Sequence, residues 1–162
     1  MKPNVRIGYG YDVHALAEGV DFWLGGIHVP HSHGAYGHSD ADVLIHVICD
    51  ALLGAASLRD IGFHFSDKDP KYKGIDSKIL LKEVVRLVSE KGYGIVNIDA
   101  TVCLQEPKIE PYIEEMRFKL AEVMGLPVDD VSIKATTTEW LGFVGKKEGV
   151  AAHAVALIYK RD

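Results

Sequence analysis

At 162 residues the chain is long enough to bury one hydrophobic core without disulfide or metal staples, and 48% apolar with 25% charged residues is an ordinary globular composition. No stretch approaches the roughly 20 consecutive apolar residues that a membrane-spanning helix needs, so a membrane protein of that kind is not expected. A formal net charge of −5 argues against broad electrostatic binding to nucleic acid and leaves any phosphate to a local pocket.

Met1 to Arg6 run straight into a strand pattern, with neither an apolar leader nor an Arg/Ser-rich transit sequence. The expected location is the cytoplasm, or an organelle interior if a transit peptide has been removed. Val5 to His14 reads as a strand, and Gly25-Gly26 between Asp21–Leu24 and Ile27–Val29 reads as a hairpin turn. Residues 31–39, rich in His, Ser and Gly without periodicity, read as a loop. Ser39 is then the expected N-cap of a helix with Asp40 and Asp42 in its first turn, a buried stripe of Leu44, Val47, Ile48, Ala51 and Leu52, and His46 on the flank.

Asp60 to Pro70 has turn composition and is expected to be irregular. A second helix opens at Asp76-Ser77, carries Ile79, Leu80, Val84, Leu87 and Val88 on one face, and stops at Gly92. Strict alternation from Asn97 to Gln105 predicts a half-buried strand. Pro111 opens a third helix with Ile113, Met116, Leu120 and Met124 inside and Gly125 at its end, and Val131–Ala135 and Val150–Tyr159 supply two more strands. The expectation is one domain over residues 1–162, an α/β (α+β) fold with a mixed, mostly antiparallel sheet packed against helices. Cys49 and Cys103, alone in a helix and a strand pattern, read as buried thiols rather than a disulfide or metal pair.

The chemistry begins at Asp12-x-His14. Side chains two apart on a strand share a face, so a carboxylate oxygen and an imidazole nitrogen can reach one ion, and His46 can add a third ligand from the helix. Two His and one carboxylate with a fourth position open is the pattern of catalytic rather than structural zinc. The spacing by itself favours a plainer reading, in which Asp12 caps a turn, His14 ends a strand and His46 belongs to a helix, and context must decide. Lys134-Ala135-Thr136-Thr137-Thr138-Glu139 offers hydroxyl and amide donors with a hard carboxylate, suited to phosphate oxygens and Mg²⁺, or reads as β-propensity followed by a turn. Glu114-Glu115 and Asp129-Asp130 read as solvated surface, and His28, His31, His33, His64 and His153 as structural. No P-loop, dinucleotide loop or nucleophile elbow occurs, so covalent catalysis has no support.

Taken in order, Arg6-Ile7-Gly8-x-Gly10-x-Asp12-Val13-His14, His38-Ser39-Asp40-x-Asp42, Asp50-Ala51-Leu52-Leu53-Gly54-Ala55-Ala56, Asp60-Ile61-Gly62, Asp69-Pro70, Lys73-Gly74, Pro107-Lys108 and Lys134 through Glu139 with Leu141-Gly142-Phe143 resemble the 2-C-methyl-D-erythritol 2,4-cyclodiphosphate synthase family of the non-mevalonate isoprenoid pathway. The resemblance runs essentially end to end. It implies a homotrimer with active sites between subunits, Zn²⁺ on Asp12, His14 and His46, and Mg²⁺ or Mn²⁺ on Glu139 and the substrate diphosphate. It also implies a reaction: the 2-phosphate of 4-diphosphocytidyl-2-C-methyl-D-erythritol 2-phosphate attacks the β-phosphorus, closes a cyclodiphosphate and expels CMP. His38 and Thr137 match transition-state stabilisers and Ser39 a phosphate contact. Asp60, Ile61, Gly62 and the loop from Phe65 through Asp67 to Asp69 match ribose or erythritol contacts. Leu104 to Glu110, with Pro107 and Lys108, and Lys134, Thr136 and Thr138 match the part that holds cytidine and its phosphates. Phe143, Lys146 and Glu148 fall near the trimer's central cavity in family members, with Lys146 where the family often carries Arg, a point charge for a bidentate fork. Trp140 stands where a smaller or charged residue is common. Two other readings of the metal residues are a zinc-dependent phosphohydrolase, in which water attacks phosphorus, and a non-enzymatic scaffold clipped by metal.

Overall fold

The computed structural model describes residues 4–162; the reading of Met1 to Pro3 falls outside them. Five strands form one sheet in the order β4-β1-β7-β5-β6. Strand β7 (Gly149–Lys160) is central, antiparallel to β1 (Val5–Glu18) and to β5 (Tyr93–Cys103). The edges are β4 (His33–Tyr36), antiparallel to β1, and β6 (Val131–Thr136), parallel to β5. A separate hairpin of β2 (Phe22–Leu24) and β3 (Ile27–Val29) turns at Gly25-Gly26, whose φ values of 60° and 78° suit glycine.

One face of the sheet carries the helices. Helix α1 (Val43–Ala55) lies on β1 and β7, α3 (Ser77–Glu90) packs on α1, and α4 (Ile113–Met124) sits over β6 and against α3. The floor beneath α1 is built from small residues in register: Gly8 pairs with Ala156, Gly10 with Ala154, and Asp12 with Ala152. A Cβ at Gly8 would lie 1.9 Å from the Ala51 carbonyl oxygen and one at Gly10 2.1 Å from that of Val47, so both positions require glycine for α1 to sit this close. The opposite parity of β1, Ile7, Tyr9, Tyr11 and Val13, points away from the helices and is exposed in the single chain.

Several local expectations are corrected. Strand β4 lies inside residues 31–39, expected to be loop, because Ala15–Glu18 extend β1 far enough to pair with it. Ser39 does not cap α1: Ala41 takes φ 57°, and Asp42 is the N-cap, accepting the Ile45 amide at 3.0 Å. Asp42 also accepts the amides of Gly25 and Gly26 at 2.9 and 2.7 Å, which offsets the cost of its complete burial. The Asp60–Pro70 stretch contains a short helix, α2 (Ile61–His64), capped by Asp60, whose side chain accepts the Phe63 amide. Helix α1 is buried nearly all round rather than along one stripe, and His46 is itself buried. On α3, Ile79 is exposed while Leu80, Leu81, Val84 and Val88 are buried, because the helical stripe passes one position to its C-terminal side. Pro111 lies in a 3-10 turn, Glu110–Tyr112, that leads into α4, and a last short helix, α5 (Gly142–Gly145), interrupts the Thr/Gly-rich loop. Cys49 is buried and Cys103 half-buried, both free thiols.

Candidate metal centre and active site

The glycine–alanine floor decides where the metal-ligating side chains meet. Gly8, Gly10, Asp12 and His14 share one face of β1, so the strand that touches α1 closely at its two glycines presents a carboxylate and an imidazole just beyond them, beside His46 near the start of the helix. Asp12 Oδ2, His14 Nε2 and His46 Nδ1 form a near-equilateral triangle with sides of 2.9, 3.1 and 3.1 Å. Two imidazole lone pairs and a carboxylate facing one another need protons or a cation between them. Tetrahedral ligands of zinc stand roughly 3.3 Å apart, given metal–ligand distances of about 2.0–2.1 Å, so the triangle fits one face of such a site. Among the described residues these three are the group that could hold a metal ion.

The electrostatics agree with the geometry. Burial alone would raise the Asp12 carboxyl, but hydrogen bonds from His14 and His46, with their charges, outweigh it and hold the group well below the usual carboxylate range. Burial alone would lower His14, whereas the Asp12 hydrogen bond and charge, aided by the Tyr36 backbone, raise it above the ordinary histidine value of 6.5. The other Asp12 oxygen accepts the Val13 amide at 2.9 Å.

The triangle forms the floor of a cleft of about 270 Å³ whose wall includes His38, Ser39, Ile61, Gly62, Phe65 and Asp67. His38 Nε2 lies 3.4 Å from the Asp69 carbonyl, and the His38 carbonyl accepts the Gly74 amide at 2.8 Å, which ties this loop to residues 69–75. Asp50 accepts the Ile61 amide at 2.8 Å and so fastens α2 to α1; burial pushes its carboxyl up. Tyr72, Ile75 and Leu80 complete the wall. Sequence reasoning missed these as site residues, and the available signal was the apolar Tyr-x-x-Ile-x-x-x-x-Leu spacing just before and inside α3.

A second group of expected site residues lies elsewhere. Leu104, Pro107, Lys108, Thr136 and Thr137 line a separate hollow of about 160 Å³ between the loops following β5 and β6. The Leu104 amide donates to the Thr136 carbonyl at 2.9 Å and the Trp140 amide to Gln105 Oε1 at 3.3 Å, which ties the two loops together. Glu139 is exposed beside Thr137, whose hydroxyl donates to it at 3.5 Å, and it stands outside the metal triangle. Lys134 pairs with Asp99, the Thr138 hydroxyl donates to the Leu141 carbonyl at 2.7 Å, Phe143 is partly exposed on α5, and Lys146 caps that helix. Among the described residues, one chain therefore presents the expected site as two separate half-sites.

Comparison with known proteins places this geometry. The model of the YgbB family matches residues 5–159. A 2-C-methyl-D-erythritol 2,4-cyclodiphosphate synthase from Cytophaga hutchinsonii is 60% identical over 157 residues, 97% of this chain and 99% of that protein. A solved 2C-methyl-D-erythritol-2,4-cyclodiphosphate synthase in its CDP-bound form superposes with a TM-score of 0.87 at 38% identity, over 94% of this chain and 99% of that one. The bifunctional IspDF from Campylobacter jejuni gives a TM-score of 0.94 at 39% identity over 98% of this chain, which spans only 43% of that longer protein.

Proposed function

The chain belongs to the YgbB family, and on that premise we propose that it is a cyclodiphosphate synthase, a CMP-releasing phosphorus–oxygen lyase acting on 4-diphosphocytidyl-2-C-methyl-D-erythritol 2-phosphate. An oxygen of the substrate's 2-phosphate forms a bond to the β-phosphorus as the bond from that phosphorus to the oxygen of CMP breaks. The products are 2-C-methyl-D-erythritol 2,4-cyclodiphosphate and CMP, and no water is consumed. The observation that carries this reading is the open triangle of Asp12, His14 and His46 at the floor of a cleft. Three protein ligands and a free approach suit a catalytic ion more than a structural one.

Asp12, His14 and His46 would hold Zn²⁺, and Glu139 would take Mg²⁺ or Mn²⁺ together with the substrate diphosphate. When bound, such ions supply Lewis-acid charge neutralisation and a template for the diphosphate. The chain's own work is alignment: His38 and Ser39 contact the phosphates beside the metal, and Thr137 stabilises charge on the phosphorus under attack. Asp60, Ile61, Gly62, Phe65, Asp67 and Asp69 shape the erythritol and ribose end. Leu104, Pro107, Lys108, Lys134, Thr136 and Thr138 hold the cytidine and its phosphates. A reaction whose nucleophile belongs to the substrate needs positioning and electrostatics more than a protein nucleophile.

We further propose a homotrimer in which one subunit's metal cleft faces the neighbour's 104–110 and 134–139 loops. Support comes from the separation of the two half-sites on one chain and from the exposed Ile7, Tyr9, Tyr11 and Val13 face. Phe143 and Lys146 would lie towards the trimer's centre. A cytoplasmic location is part of the same proposal; among the described residues no helix is long and apolar enough to cross a membrane. Incubation of the metal-loaded protein with the substrate decides the chemistry: cyclic diphosphate with stoichiometric CMP is expected, and a ring-opened phosphate product with uptake of ¹⁸O from water would establish a phosphohydrolase instead. Light scattering should read three chains, and a fully active monomer would refute the shared site.

A further inference from the structure

A hydrogen-bonded chain runs from the metal triangle into the interior. His46 directs Nδ1 at Asp12 Oδ2 and His14 Nε2, while its Nε2 lies 3.0 Å from Ser77 Oγ and 3.1 Å from Ser39 Oγ. Ser77 is fully buried at the first turn of α3, and its Oγ stands 2.5 Å from Asp40 Oδ1. Asp40 also accepts the Ser77 amide at 2.9 Å and the Asp42 amide at 3.1 Å. Its own amide donates to the Ile75 carbonyl at 3.1 Å, which clasps the 38–42 loop to the start of α3.

These contacts fix the direction of the bonds around Nε2 of His46. An ionised carboxylate can only accept, so the Ser77 hydroxyl proton points at Asp40. With its one proton committed, Ser77 Oγ turns lone pairs towards His46, and His46 Nε2 must donate. Once an ion takes the place of the proton between Nδ1 and Asp12, an imidazole protonated on Nε2 presents its Nδ1 lone pair to that ion. Ser39 is the weaker acceptor for that proton: it is half-exposed on the cleft wall, already accepts the Ala41 amide at 3.2 Å, and has no carboxylate behind it among the described hydrogen bonds. His14 is oriented in the same manner by the Tyr36 backbone, which no side-chain change can remove.

We propose that Asp40 and Ser77 are positioning residues for the metal centre, fixing the tautomer and ring plane of His46 so that Nδ1 is presented to the ion. Outer partners of this type tune ligand basicity and orientation, and their loss typically weakens metal binding by about 10–100-fold. The inference rests on the metal-centre reading, and the test separates the two.

Zinc and cobalt affinities of the full chain, measured by chelator competition, are compared with those of Ser77→Ala, Asp40→Asn and Ser39→Ala, with circular dichroism checking that each metal-free variant is folded. Ser77→Ala should bind zinc about 10–100-fold more weakly. Asp40→Asn, which keeps one acceptor oxygen, should shift in the same direction by less, and Ser39→Ala should stay within about threefold of the parent because Ser77 still accepts the proton. In zinc-loaded protein with ¹⁵N-labelled histidine, His46 should show a slowly exchanging Nε2–H resonance that moves in Asp40→Asn and not in Ser39→Ala, a change that mere loosening of the fold would not produce selectively. Unchanged zinc affinity in Ser77→Ala, or a resonance that responds to Ser39 and not to Asp40, overturns the relay while leaving the metal centre intact. If Ser77→Ala does not fold, Asp40→Asn and the parent resonance decide. If the parent protein takes up neither zinc nor cobalt, the metal-centre reading falls and the relay with it.

Discussion

Substituting Gly10 by alanine tests whether the seam between strand and helix sets the metal site. Gly10 lies on β1 two residues before Asp12, beneath α1 at Val47, the residue after His46. The added Cβ would sit 2.1 Å from the Val47 carbonyl oxygen and 3.0 Å from its carbonyl carbon, where real Cβ atoms essentially never approach within 3.0 Å. Strand and helix must therefore separate locally by about 1 Å. Overpacking of this kind costs roughly 1–3 kcal/mol, and at about 2–4 °C per kcal/mol for a domain of this size the melting temperature should fall by about 2–12 °C. The metal centre feels the same shift more acutely, because its ligands come from both sides of the seam and coordination distances tolerate only about 0.2 Å. The expected outcome for Gly10→Ala is a folded protein whose zinc affinity drops by more than tenfold, measured by chelator competition beside the thermal melt. A variant that loses the expected stability yet binds zinc as the parent does would refute the reasoning, since the triangle would then be held independently of the seam.

His46→Ala should abolish stoichiometric zinc while leaving the chain folded, and metal analysis of the purified variant checks it. Glu139→Gln should leave zinc content unchanged while shifting the Mg²⁺ dependence of turnover to higher concentration, because a neutral amide is a poorer ligand for a hard cation; an unaltered Mg²⁺ titration would make Glu139 structural. Zinc affinity should also depend on pH. The His14 pKa is raised in the metal-free fold, so His14 contributes stability that is fully present below its unfolded value of 6.5 and is lost as pH rises through the raised value. Zinc needs the deprotonated ring, so its affinity should fall about tenfold per pH unit below that raised pKa, with onset above pH 6.5. Affinity flat from pH 8 to 6 would contradict the assignment of His14.

The parts of this site that the sequence reveals are those governed by local periodicity. Alternation placed Asp12 and His14 on one strand face, and the same parity extends back through Gly10 and Gly8, so the close helix contact and the ligands belong to a single period-two pattern. What stays hidden is anything satisfied at long range. Asp42 is read locally as a first-turn acid, but it caps the helix and binds the amides of Gly25 and Gly26, 17 and 16 residues away. Ser77 looks like an ordinary helix start, and only the approach of the 38–42 loop, 37 residues earlier in the chain, gives its hydroxyl a second role. Strand β4 escaped because four residues of His-Gly-Ala-Tyr carry no alternation strong enough to outweigh their loop composition; pairing with the far end of β1 is what orders them.

The partition of the site residues is hidden for a different reason. Motif order groups His38, Ser39, Thr136, Thr137 and Glu139 as one active site, yet on one chain the first two line the metal cleft and Thr136 and Thr137 line the hollow beyond β5 and β6. A phosphoryl transfer needs donors and metal ligands around one phosphorus, so two half-sites on separate surfaces are incomplete alone. Under the proposed reaction they become complete when the cleft of one copy meets the hollow of another, with Ile7, Tyr9, Tyr11 and Val13 available to bury apolar surface between copies. The arrangement predicts complementation. Mixing inactive His46→Ala with inactive Thr137→Ala chains, unfolding and reassembling them together, should restore part of the activity, because some mixed assemblies pair an intact cleft with an intact hollow. Two variants that never rescue each other, although mixed assemblies form, would show that each chain completes its own site.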